Sequence, residues 1–185
     1  MYKRGIYFLI VAILYLLITP KSSHASTYIS RDSAKLANEV FEKVADTRAK
    51  ILREYLKSYD SPLAPYSETF VSEADKYSLD WKLVASIAGL ESTFGHHIPY
   101  NSYNAWGFGV YGDNVRRFTS WEDGIQTVSK SLRQDYLNKW KAKNVYEIGN
   151  IYAASPTWAQ RVTFFMNQID KFSNTKEPTL LSISL

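Results

Sequence analysis

Apolar residues recur at helical spacing in one stretch of this chain after another, and helix-on-helix packing is the way such surfaces are buried. Leu36, Val40, Val44, Ile51 and Tyr55 mark a long helix over 32–58, with Phe41, Leu52 and Leu56 widening its stripe. Phe70, Val71 and Ala74 point inward from a helix over 66–77. Val84, Ile87 and Ala88 do the same in a helix from Trp81 to about Thr93. Ile125, Val128 and Leu132 define another, running to about Lys141. Trp158, Val162, Phe165 and Ile169 form the clearest stripe of all, in the last helix. The pattern predicts a mainly α fold.

The breaks between stripes carry their own chemistry. Ser61–Pro65 holds two prolines in five residues, which ends the first helix and marks the expected start of the main domain. Asp80 can cap the helix after it, and Gly95 can close that helix. Ser120 with Asp123 resembles a capping box in which Asp stands for the usual Glu. Asn144 can cap a short helix over 145–154, and Ser155-Pro156 opens the last one. After Phe172 the apolar pattern fades, so 174–185 reads as a tail. The organisation expected is an export segment over 1–25, an N-terminal helix or brace within 26–60, and a main domain over 61–173.

Lys3 and Arg4 precede an uncharged apolar run from Ile6 to Ile18, and Ser23 and Ala25 stand at −3 and −1 of a cleavage site. That is the anatomy of a secretory signal peptide, and residues 5–19 could also serve as an uncleaved anchor. Either way the expected location is extracytoplasmic, with membrane contact only through that segment. The signal also carries the charge excess. Without Lys3, Arg4 and Lys21, the 22 basic residues fall to 19 against 18 acidic ones. A near-neutral domain gives no electrostatic case for a nucleic-acid partner. Cysteine is absent, which excludes disulfides, thiolate catalysis and cysteine-ligated zinc.

Between the helices, 96–118 reads differently. It holds Pro99, several Asn and Ser residues, glycines and spaced aromatics, and predicts a small irregular or β insert. Directly before it, Glu91 continues the face of Val84, Ile87 and Ala88. A partly desolvated carboxylate has a raised pKa and can act as a general acid. It could also turn to solvent at the helix end or bond nearby backbone. Asn101, Asn104, Trp106, Phe108 and Tyr111 in the insert mix amides with flat rings, the combination that suits sugar hydroxyls and pyranose faces. The same residues could simply pack a tight turn.

Leu79–Gly95, with its Glu91-Ser92 pair, resembles the catalytic helix of bacterial cell-wall lytic enzymes of the lysozyme-like superfamily. Asn104–Gly112, Arg117–Ile125 and Tyr152–Val162 are similar to segments of the peptidoglycan glucosaminidases, the mannosyl-glycoprotein endo-β-N-acetylglucosaminidase-like domains related to lytic transglycosylases. The likeness spans roughly Pro65 to Phe172. The transglycosylase Gly-Leu-Met-Gln and Ala-Tyr-Asn-Ala-Gly motifs are absent, Trp106-Gly107 departs from the glucosaminidase pattern, and Ser155 stands where that family has Asp. The resemblance implies a lysozyme-like helical domain that cleaves β-1,4 bonds of peptidoglycan glycan strands. It implies Glu91 as the acid, Tyr152 facing the cleft, Ser92 beside the acid, and no cofactor or metal. Lytic transglycosylase and muramidase activities are alternatives on the same fold, and an inactive glycan-binding module is an alternative of another class.

A second carboxylate would be nucleophile at about 5 Å from the acid, or base at about 6.5–9.5 Å. Asp113, Glu122 and Asp123 are the candidates, each with a turn, helix-start or capping role to explain it equally well. The remaining route is substrate assistance, in which the N-acetyl oxygen attacks and Tyr152 holds that group or faces the oxocarbenium ion. His96 and His97 are adjacent in sequence and do not make a metal-ligand spacing.

Overall fold

The computed structural model describes residues 47–110, 112 and 114–182, together with Ser33, Lys35 and Leu36, with side chains described as far as Lys176. The export segment expected over 1–25, most of the first half of the helix expected over 32–58, and two insert residues, Tyr111 and Asp113, lie outside the described residues. The chain divides into two units, Met1–Phe41 and Glu42–Leu185. In the first, Ser33, Lys35 and Leu36 are helical. The second carries everything that follows.

It is helical, as the periodicity requires. Helix α1 covers 47–57, and a single 3-10 turn, Ala64–Tyr66, leads into α2, Ser67–Tyr77. Then come α3, Leu83–Ser92, and α4, Trp121–Ser131, which widens without a break into a π-helical stretch, Leu132–Lys139. The set closes with α5, Val145–Tyr152, and the long α6, Trp158–Ser182. Among the described residues no helix is long and apolar enough to cross a membrane.

The caps follow the sequence. Ser120 Oγ accepts from Asp123 N–H at 3.2 Å, and Asp123 Oδ2 accepts from Thr119 N–H at 2.9 Å, a capping box that reaches one residue further back than usual. Asn144 Oδ1 accepts from Glu147 N–H at 3.0 Å. Asp80 Oδ1 accepts from Lys82 N–H at 2.9 Å, so it stabilises the turn before α3, which starts two residues later than expected. Helix α6 does not stop near Phe172 but continues to Ser182.

Helix α3 is the centre of the core. Leu83, Val84, Ala85, Ile87 and Ala88 are all buried, and α3 lies along α6 while α2 lies along α4. Helix α1 joins the same core through Leu52, Tyr55 and Leu56, with the Tyr55 ring edge-on to Phe94 at 5.7 Å and to Phe172 at 5.6 Å. The Pro-rich turn is tied to the end of α3 by Ser61 Oγ, which donates to Phe94 O at 2.8 Å.

The insert over 96–118 is irregular, with no strand among its described residues and an isolated bridge at Asn114. Positive φ at Asn101, Tyr103, Gly107, Gly109 and Gly112 interrupts any ladder, so the β alternative is not taken up. Asn104 organises what forms instead. Its Nδ2 donates to Phe108 O and Arg116 O, both at 2.9 Å, and its Oδ1 accepts from Phe108 N–H at 3.1 Å and Trp106 N–H at 3.3 Å. The Trp106 ring then leaves the loop and enters the core. It is fully buried, donates through Nε1 to Val84 O at 3.0 Å, and packs near Phe70 and Phe118. Gly124 of α4 makes this possible, since a Cβ there would stand 2.4 Å from the Trp106 ring.

Gly124→Ala is therefore expected to destabilise the fold by about 1–3 kcal/mol through overpacking. Urea unfolding should show a lower midpoint with an unchanged slope.

Candidate active site

Helix α3 delivers a carboxylate to the surface at its last turn. The stripe of Val84, Ile87 and Ala88 is buried, and Glu91 stands where that stripe meets solvent. The residue is more exposed than a place on the apolar face predicts, because the helix ends one residue later at Ser92. Its carboxyl end is nevertheless held. Oε1 accepts from Trp158 Nε1 at 2.7 Å. Oε2 lies so close to Gly107 that a Cβ there would be 3.3 Å away, and Gly107 has φ of 58°, so side chains are disfavoured on both counts.

Partial desolvation pushes the Glu91 pKa up from the ordinary carboxylate value. The Trp158 N–H and, more weakly, the charge of Arg161 pull it down. Desolvation is the larger effect. The negative end of the α3 dipole is in any case an unfavourable place for an anion.

Tyr152, the last residue of α5, sits beside this group. Its hydroxyl donates to Trp106 O at 2.8 Å, and its ring stacks on Trp158 at 4.7 Å and 25°. Burial, followed by the nearby Glu91 carboxylate, holds the phenol well above its usual pKa, so it stays neutral. Tyr136 packs against Tyr152 at 5.7 Å, and Trp140 stands edge-on to Tyr136 at 4.9 Å. Trp140, Tyr136, Tyr152 and Trp158 thus form a continuous row of rings that ends at Glu91. A cavity of about 310 Å³ opens beside Trp140, Tyr136 and Tyr152, lined also by Gly107, Phe108, Arg116, Asp135 and Ile151; Trp158 and Glu91 stand behind Tyr152 and Gly107 and do not line it.

Of the residues expected to form the site, Glu91, Tyr152 and Phe108 are brought together around Gly107. Ser92, Asn104 and Trp106 are not positioned to touch a ligand. Ser92 is buried, with its hydroxyl donating to Ala105 O at 2.8 Å and accepting from Gly95 N–H at 2.8 Å. Asn104 is buried and its amide is saturated by the loop backbone. Trp106 is a core residue. All three support the site instead of lining it. Asn101 is an exposed turn residue with φ of 50° and does not line this cavity. Tyr111 lies outside the described residues.

Among the carboxylates considered as partners for Glu91, Asp123 is engaged by Thr119 N–H, Thr119 Oγ1 and Thr127 Oγ1, and these bonds depress its pKa. It is a cap. Neither Asp123 nor Glu122 lines the cavity, and Asp113 is outside the described residues. His96 Nε2 stands 2.9 Å from Tyr59 O, which makes it a loop contact.

Sequence reasoning missed Asp135, Tyr136 and Trp140. They belong to or directly follow the π-helical stretch, whose widened turn changes which side chains share a face, and period 3.6 gives no sign of it. The role of Trp158 was findable, because a buried indole N–H needs an acceptor and Glu91 is nearby in the expected bundle.

The sequence matches no protein-family model and no curated protein.

Two outcomes test this geometry. A carboxyl whose pKa is raised on folding contributes stability that is present below its unfolded pKa and is lost as pH rises through the folded one. Glu91→Gln is therefore expected to gain stability relative to wild type at neutral pH. The gain should vanish as pH falls below the ordinary value of 4.5, as read by thermal melts across pH. Separately, Trp158→Phe removes the donor that favours the anion. It should raise the Glu91 pKa further in a carboxyl-detected NMR titration.

Proposed function

We propose that this chain is an extracytoplasmic peptidoglycan hydrolase that cleaves β-1,4 bonds of glycan strands, of the endo-β-N-acetylglucosaminidase type, with Glu91 as general acid. The observation that carries the reading is the row of rings ending at a carboxyl group of raised pKa. Trp140 is exposed and Tyr152 half-buried, and they present the row's accessible faces to a pyranose ring, while the buried Tyr136 and Trp158 hold them in line with the acid, which suits a glycosidic oxygen. The sequence resemblance supports the same substrate.

The residues divide the work as follows. Glu91, protonated, donates its proton to the leaving oxygen as the bond to the anomeric carbon breaks. Trp158 then stabilises the carboxylate that remains by donating to Oε1. Tyr152 has its own proton directed at Trp106 O, so it meets a ligand as an acceptor. In that role it takes the acetamido N–H of the substrate and turns the acetyl oxygen toward the anomeric carbon. That oxygen attacks, and water later opens the resulting ring. Only one protein carboxylate is required in this scheme. Trp140 and Phe108 offer flat faces along the cavity. No cofactor or metal enters any step.

Digestion of purified peptidoglycan with residues 26–185 tests the proposal, with products read by mass. Reducing-end N-acetylglucosamine is the expected product. Glu91→Gln should lower turnover by about 10²–10⁴-fold. Tyr152→Phe should lower it by about tenfold, the value of one lost hydrogen bond. 1,6-Anhydro ends would reassign the chain to transglycosylases, and reducing-end N-acetylmuramic acid to muramidases. Absence of products, with wild type and Glu91→Gln both sedimenting with the glycan, would make it a binding module.

A further inference from the structure

Beyond the cavity lined by Tyr136, Trp140 and Tyr152 lies a second one of about 300 Å³, lined by Thr127, Lys130, Ser131, Gln134 and Asp135 on the α4 and π-helical side and by Phe108 and Arg116 on the insert. The two share Phe108, Arg116, Ser131 and Asp135, so they are neighbours along one groove. To that shared rim the first adds the rings of Tyr136, Trp140 and Tyr152, and the second adds the Lys130 ammonium, the Gln134 amide and the Thr127 hydroxyl. The second is thus surrounded by a guanidinium, an ammonium and a carboxylate.

These groups are held in place. Arg116 lies over Phe108 at 5.2 Å and over Phe118 at 5.5 Å, which fixes its plane by cation–π contact. Ser131 Oγ donates to Asp135 Oδ2 at 2.7 Å, which orients the carboxylate. Asp123, the other acid near Arg116, is occupied by Thr119 and Thr127. Neutral pyranose rings have no use for the Lys130 ammonium that this cavity adds. A ligand with carboxylates and an amine does.

We propose that this second cavity binds the peptide substituent of the glycan strand, with a peptide carboxylate on Arg116 and Lys130 and a peptide amine on Asp135. The assignment rests on the hydrolase reading for the identity of its ligand, since it is the adjoining groove that would place the strand. It makes the enzyme selective for peptide-bearing over stripped strands.

The probe is the tripeptide Ala-γ-Glu-Lys, whose binding is read by titration calorimetry and by NMR shifts of the tryptophan N–H signals, alongside digestion of peptide-bearing and amidase-stripped strands. Lys130 lines only the second cavity. Lys130→Glu is expected to weaken tripeptide binding and the preference for peptide-bearing strands by about fivefold. Turnover of stripped strands should stay at the wild-type rate. Gln134→Ala, a milder change at the same wall, should weaken tripeptide binding in the same direction. Wild-type turnover without tripeptide binding, or binding unaltered in both variants, would overturn the subsite and leave the hydrolase reading intact. Tripeptide binding sensitive to Lys130→Glu without glycan cleavage would overturn the hydrolase reading and retain the subsite.

Discussion

The Trp106 indole is the point on which the insert and the site both depend. It is fully buried among Phe70, Val84, Phe118 and Gly124, so the loop that carries it cannot drift from the helices. Its backbone carbonyl then receives the Tyr152 hydroxyl, and the residue after it, Gly107, meets Glu91. One apolar anchor thus fixes the distance between the acid on α3 and the phenol on α5. Burial of a ring this large is worth several kcal/mol at about 25 cal/mol per Å². That is more than any single hydrogen bond in the cleft can contribute.

The helices were largely legible because their signals are local. The stripe of Trp158, Val162 and Ile169 is buried as its spacing implies, and Phe70, Val71 and Ala74 face inward. Ser120 and Asn144 cap the helices they precede, since an Asx or Ser oxygen before an apolar run has few better uses. Glu91 was legible for a related reason: a carboxylate at the end of an apolar face stands out against its pattern.

What remained hidden was set by tertiary context. Trp106 and Asn104 in the insert, and Ser92 at the end of α3, look like ligand contacts in sequence because polar and aromatic residues beside a groove have two uses, lining it or building it. Which use applies depends on whether a cavity waits inside for the ring, and here Gly124 supplies it. Asp135 and Tyr136 were hidden by the π-helical turns, which arise where packing favours a wider helix and leave no compositional mark. The groove therefore recruits its second wall from residues that an ideal helix would have directed elsewhere.

The clamp around Asn104 has one more consequence. Its four bonds to the loop backbone and the buried Trp106 settle the conformation of the groove's inner rim while the chain folds. The conformational entropy of ordering that rim is lost then and not on meeting a ligand. Any ligand of this groove would therefore meet a rim whose shape is already in place, without the rim first closing around it.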